Sequence, residues 1–347
     1  MTAGAGRFSL AEKTKDKILE KGEIDVEEAV KFIERGKFDV VVTSSGDDHS
    51  KQAKILAKRL EGRVQVFALN KTMDDDLGGV DGIDGAPYTD FTNGYHTAVS
   101  TGVEQIKNHF AGAWTNNLPY IVAHFGRDTN WVGLALSYWG FADRFIYGEL
   151  AEEHPGHNIE KIHQMILESQ KKNEEIYGRR FAMIVVAEGT RVSGVKHVSD
   201  LIDPHGHHKL QPAVLAAKLK EELEKRFGMK TQNEAITYTM RNFHPSEKDI
   251  RYSLLSSQEL ARGILAGKSG LESVFKIRNG KVEVGLEPIE KVAVTRFASY
   301  YEKVHGSLVD KDTFEVTDEI GKYYKPLFGE RGKLSDILPK KMRKVVI

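Results

Sequence analysis

The sequence contains no cysteine, which excludes disulfides, thiolate metal sites and cysteine nucleophiles without identifying a compartment. It has no run approaching the roughly twenty apolar residues of a membrane span. The opening residues, Met1 to Arg7, lack the apolar core of a signal peptide. Charge of one sign is missing too. Fifty basic residues balance fifty acidic ones, leaving no net pull towards nucleic acid or an anionic membrane. What is there is a chain of 347 residues, 40% hydrophobic and 29% charged, long enough for two compact domains. The expectation is a cytoplasmic globular protein with neither nucleic acid nor membrane as a partner, and with room for a small anionic substrate.

Local patterns alternate between helix and strand. Asp25-Val26-Glu27-Glu28 has capping-box spacing ahead of Ala29, Val30, Phe32 and Ile33, and Gly36 stands at a cap position, predicting a helix over about 26 to 35. The β-branched run 38–43, a polar loop, a helical pattern over 51–60 and the run 64–69 form a βαβ unit, hence parallel strands. Helices near 95–110, 130–139, 158–175 and 211–226 then alternate with apolar strands at 120–123, 144–147 and 181–187. Short apolar strands between helices imply a sheet covered on both faces. Asn279-Gly280 between 273–278 and 281–284 is a hairpin signal. Repeats, low-complexity tracts and an obvious linker are all lacking, as two α/β lobes interleaved in sequence would explain.

In open α/β sheets ligands bind beyond the carboxyl ends of strands, which selects two loops. Ser44-Ser45-Gly46-Asp47-Asp48-His49-Ser50 offers close backbone approach at Gly46, helix amides for a phosphate and carboxylates for Mg²⁺. Asn70-Lys71-Thr72-Met73-Asp74-Asp75-Asp76 follows the next strand, on the same sheet edge. Phosphoryl transfer needs metal-bound oxygens, cations against phosphate charge and a carboxylate near the attacking hydroxyl. Composition alone favours two solvated acidic turns.

Their combination is more specific. Residues 70–76 resemble the Pro-Lys-Thr-Ile-Asp-Asn-Asp motif of phosphofructokinases, and Ser45-Gly46-Asp47-Asp48 resembles that family's Gly-Gly-Asp-Gly or Gly-Gly-Asp-Asp loop. Asn93-Gly94-Tyr95-His96-Thr97-Ala98-Val99 is similar to its Gly-Phe-Asp-Thr-Ala helix start, and Phe125-Gly126-Arg127 to its Met-Gly-Arg loop. Glu149, Val186-Ala187-Glu188-Gly189 and Arg241 follow in the family's order, so the resemblance spans about residues 38 to 347. It implies a phosphofructokinase-like α/β fold of two interleaved three-layer lobes with mostly parallel sheets. A donor lobe would comprise 1–92 plus 240–300, and a sugar-phosphate lobe 93–239 plus 301–347.

The resemblance also implies roles. Asp74 would be the base, with Thr72 and Asp76 positioning substrate and metal and Asp47 a Mg²⁺ ligand. Lys71, Gly46, Asp48 and Arg7 would bear on the donor; Asp48 favours pyrophosphate over ATP by adding bulk and charge where a nucleotide's α-phosphate would lie. Gly126, Arg127, Glu149 and Arg241 would hold fructose 6-phosphate, Arg241 through a bidentate contact to its phosphate. The family's first apolar strand and Gly-Gly-Asp-x-Pro-Gly loop have no counterpart, and Gly4-Ala5-Gly6-Arg7 matches only a later donor segment. Leu118 and Gln232 stand where bacterial members carry the arginines that reach the sugar phosphate from a neighbouring subunit, so the resemblance implies weaker binding of fructose 6-phosphate or a different sugar phosphate. A sheet without its first βα unit exposes an edge, so a homo- or hetero-oligomer is expected, and a non-catalytic subunit is the rival reading. His205-Gly206-His207-His208 reads as a polar loop in preference to a Zn²⁺ or Ni²⁺ site, and Trp114, Trp131 and Trp139 as core or interface residues.

Overall fold

Side chains that alternate between two apolar environments set the architecture. In this computed structural model, which describes residues 9–11, 23–79, 86–126, 129–148, 157–193, 195, 210–334 and 337, two four-stranded sheets each carry helices on both faces.

The first sheet grows from the amino-terminal segments. Strand β1 (Ser9–Ala11) pairs in parallel with β2 (Glu23–Asp25), outside the larger sheets. Asp25 then accepts a hydrogen bond from the Glu27 amide at 3.2 Å and caps α1 (Val26–Arg35), as the capping-box spacing predicted. The unit β3 (Val40–Ser45), α2 (Asp47–Arg59), β4 (Gln65–Asn70) is parallel, with Ser45 opposite Asn70, so both strands end at one edge. Within β4, Val66 and Ala68 join α1 and α2 in one apolar cluster, whereas Phe67 faces the opposite side.

The second sheet uses the same device. The chain continues through α3 (Tyr95–Asn116), β5 (Pro119–His124), α4 (Trp131–Gly140), β6 (Arg144–Ile146), α5 (Ile159–Tyr177), β7 (Ala182–Ala187), α6 (Pro212–Phe227) and β8 (Gln232–Ile236). These four strands are all parallel, in the order β6-β7-β5-β8. Ile121, Ala123, Ile184 and Val186 pack with α5 and α6, and Val122, Met183 and Val185 with α3 and α4. Trp131 and Trp139 belong to that second core. Burying one large apolar side chain contributes about 1.5–3 kcal/mol, so the alternation fixes which face meets which helix layer.

The chain then returns to the first sheet. After α7 (Tyr238–Arg241), α8 (Glu247–Leu265) lays Gly263 against Phe67, and β9 (Leu271–Arg278) and β10 (Lys281–Pro288) complete the order β10-β9-β4-β3. Asn279 and Gly280, with φ of 51° and 72°, form the predicted hairpin turn. Helices α9 (Ile289–Val292), α10 (Ala298–His305) and α11 (Asp318–Phe328) follow. Interleaving therefore explains the lack of a linker. No helix among the described residues is long and apolar enough to cross a membrane.

Candidate functional site

One expectation needs correction first: α2 begins at Asp47, four residues before the pattern suggested. Gly46 takes the N-cap position, and Asp47 and Asp48 occupy the first turn, where carboxylates meet the positive end of the helix dipole. A Cβ on Gly46 would stand 3.3 Å from Thr72 Cβ, so glycine lets the two loops pack together. The result is a cleft of about 100 Å³ lined by Gly46, Asp47, Asp48, His49, Thr72, Asp74 and Asp76.

Each wall is held from behind. The Thr72 amide donates to Asn93 O at 3.1 Å, the Thr92 hydroxyl donates to Thr72 O at 2.8 Å, and the Asp74 amide donates to Thr72 Oγ1 at 3.2 Å. Lys51 Nζ lies 2.7 Å from Asp47 Oδ2, and Thr295 Oγ1 donates to the same oxygen at 2.8 Å. Asp47 Oδ1 is buried without a hydrogen-bond partner among the described residues. An oxygen so placed is suited to a hard cation. No three His, Asp or Glu side chains gather at metal-ligand spacing among the described residues, so the chain would offer Mg²⁺ one or two carboxylates. That fits an ion that retains waters and takes phosphate oxygens.

Two buried acids lie beneath this cleft. Ser50 Oγ donates to Glu272 Oε2, and desolvation pushes the Glu272 carboxyl up to about 8, opposed by the Ser50 bond and reinforced by nearby Asp47. Asp75 is fully buried at φ 56° and pairs with Arg296 Nη2 at 2.6 Å. Burial pushes Asp75 up to about 6, against the pull of that guanidinium. Neither Glu272 nor Arg296 is visible as a site residue from the sequence. Their partners lie 222 and 221 positions away, and only a contact map could have joined them.

The Gly126 loop adjoins the same region. Gly126 has φ 134°, and a Cβ there would meet Val132 at 3.0 Å, so only glycine fits. Its amide donates to Glu188 Oε1 at 3.1 Å. The Thr129 hydroxyl reaches both Gly126 O at 3.3 Å and Asp74 O at 3.4 Å, linking this loop to Asp74. Arg241, exposed at the end of α7, stacks its guanidinium 4.6 Å from the Phe125 ring centroid. Lys71 is exposed and is not among the residues lining the cleft. Leu118 and Gln232 lie at the amino-terminal ends of neighbouring strands, opposite the Gly126 loop. Arg7, Arg127, Glu149 and the histidine cluster at 205–208 lie outside the described residues.

Fold and site together describe an α/β protein of two interleaved lobes with an acidic cleft at the carboxyl edge of one sheet. The family model "Phosphofructokinase" matches residues 5–262. A pyrophosphate–fructose 6-phosphate 1-phosphotransferase from Dictyoglomus thermophilum is 27% identical over 287 residues, covering 82% of this chain and 76% of that protein. An ATP-dependent 6-phosphofructokinase from Spirochaeta thermophila is 23% identical over 252 residues, covering 72% and 63% respectively. The crystal structure of a pyrophosphate-dependent phosphofructokinase from Nitrosospira multiformis superposes with a TM-score of 0.65 at 15% identity, covering 90% of this chain and 74% of that one. The chain belongs to the phosphofructokinase family.

Proposed function

We propose that the chain catalyses Mg²⁺-dependent phosphoryl transfer from pyrophosphate to the 1-hydroxyl of fructose 6-phosphate. The observation that carries this is the convergence of Asp47, Asp48, Thr72, Asp74 and Asp76 on one cleft. Asp74 takes the proton of the 1-hydroxyl as its oxygen forms the new P–O bond, the bridging P–O bond of pyrophosphate breaks, and orthophosphate leaves. Thr72 holds the Asp74 backbone amide through its hydroxyl. Asp47, with Asp76, would hold Mg²⁺, which when bound neutralises charge on the donor phosphates. Gly126, Arg127, Glu149 and Arg241 bind the sugar phosphate, and Gly46, Lys71 and Arg7 serve the donor.

Pyrophosphate is preferred because Asp48 adds a second carboxylate to the cleft lining, bulk and charge that a nucleotide's α-phosphate would have to meet. The Dictyoglomus and Nitrosospira relatives carry that donor in their names, and the Spirochaeta relative carries ATP. The donor lobe is proposed to comprise 1–92 plus 240–300, and the sugar-phosphate lobe 93–239 plus 301–347. An assay of fructose 1,6-bisphosphate formation with Mg²⁺ and each donor tests the reading. Turnover with pyrophosphate supports it; turnover with ATP alone overturns the role of Asp48.

A second reading, a non-catalytic subunit of a larger assembly, is favoured by exposed apolar side chains around β3, namely Phe32, Phe38 and Val42. The same assay separates the two. A purified chain inert with both donors, but restored by a partner chain, would replace the first reading with the second.

A further inference from the structure

Residues 295 to 298 touch every wall of the site. Thr295 Oγ1 donates to Asp47 Oδ2 at 2.8 Å. The Arg296 amide donates to Asp76 O at 2.7 Å, and its Nη2 reaches both Asp75 Oδ2 at 2.6 Å and Asp75 O at 3.2 Å. Arg296 O accepts from Trp131 Nε1 at 3.0 Å, its guanidinium lies 4.3 Å from the Trp131 ring centroid, and the Ala298 amide donates to Thr129 O at 3.1 Å. The guanidinium is completed by Tyr323 and Tyr324 of α11; the Tyr324 hydroxyl also donates to Asp75. One buried cation therefore bridges the loop 72–76, the start of α4 behind the Gly126 loop, and α11.

We infer that Arg296 is a positioning residue, which holds Asp75 in its left-handed conformation so that Asp74 faces the cleft, and which couples that loop to the loop at Gly126. The inference rests on the reading of Asp74 as base. Three features set Arg296 apart from an ordinary core ion pair. Asp75 is a non-glycine residue at φ 56°, a conformation that needs outside support. One guanidinium nitrogen, Nη2, binds the loop's backbone as well as its carboxylate, so it fixes the Asp75–Asp76 peptide directly after Asp74. The adjacent Thr295 fixes Asp47, so a shift of this segment would move both walls of the cleft together.

Arg296→Met alone would leave the Asp75 carboxylate buried and unpaired, and could fail to fold. The test therefore uses the double variant Asp75→Asn/Arg296→Met, with Asp75→Asn and Asp74→Ala beside it. The double variant is expected to melt close to wild type, to lose at least tenfold in kcat with the KM for fructose 6-phosphate within about threefold, and to exchange amide hydrogens over 71–78 at least tenfold faster. Asp75→Asn removes the counter-charge but keeps the guanidinium on the loop carbonyl, so it should melt lower than wild type and yet, at temperatures where it is folded, retain both kcat and slow exchange. Wild-type exchange and kcat in the double variant would overturn the inference, whereas turnover in Asp74→Ala would overturn only the reading of the base. If the wild-type chain shows no turnover, the exchange comparison decides alone.

Discussion

Burial keeps the Glu272 carboxyl protonated at neutral pH, and the sign of its effect on stability follows. Its folded value of about 8 lies above the ordinary 4.5, so the unfolded chain gives up the proton first as pH rises. The stabilisation is fully present below 4.5 and is lost as pH climbs through 8, on the order of a few kcal/mol in all. Glu272→Gln cannot ionise and still accepts from Ser50. Its melting temperature should match wild type near pH 5 and exceed it at pH 8.5; a gap independent of pH would contradict the assignment. Asp47, Asp48, Thr72, Asp74 and Asp76 were legible in the sequence because each pair of neighbours lies within one short loop, and the two loops follow consecutive parallel strands. Glu272, Thr295 and Arg296 were not, because their chemistry exists only through distant contacts.

Helices and strands were legible where pattern and packing agreed. Strand β7 reads Ala-Met-Ile-Val-Val-Ala and is buried throughout, and α1 has the expected bounds because Asp25 caps its start. Strand β8 reads Gln-Asn-Glu-Ala-Ile, carries little strand signal, and exists because β5 pairs with it from Tyr120↔Gln232 to His124↔Ile236. Helix α8 has a weak sequence pattern for another reason: Ile250 and Leu254 face solvent and blur its apolar stripe. Its Asp249 serves a second helix, accepting from the Gly94 amide at 3.0 Å and the Thr97 amide at 2.8 Å, at the start of α3. Asp249→Ala should therefore cost about 2 kcal/mol. For a chain of this size that lowers the melting temperature by roughly 3 °C, and an unchanged melt would show that the borrowed cap is dispensable.

The first sheet of the molecule ends at β3, where Val42 is 49% exposed, and the segment leading into that strand carries Phe32 at 70% and Phe38 at 45%, with their ring centroids 6.4 Å apart. An apolar group of this kind on a strand edge favours association. Light scattering at micromolar concentration should give a mass of two or more chains, and Val42→Lys with Phe32→Glu should lower it; a wild-type monomer would refute the association. The proposed site draws on both sheets as well, because Thr129 and Arg296 connect the Asp74 loop to the elements behind Gly126. The most direct test of the whole account is the steady-state rate of Asp74→Asn with Mg²⁺, pyrophosphate and fructose 6-phosphate. A base in that position predicts a kcat about 10²–10⁴-fold below wild type, with KM and melting temperature nearly unchanged; a kcat within tenfold of wild type would contradict it.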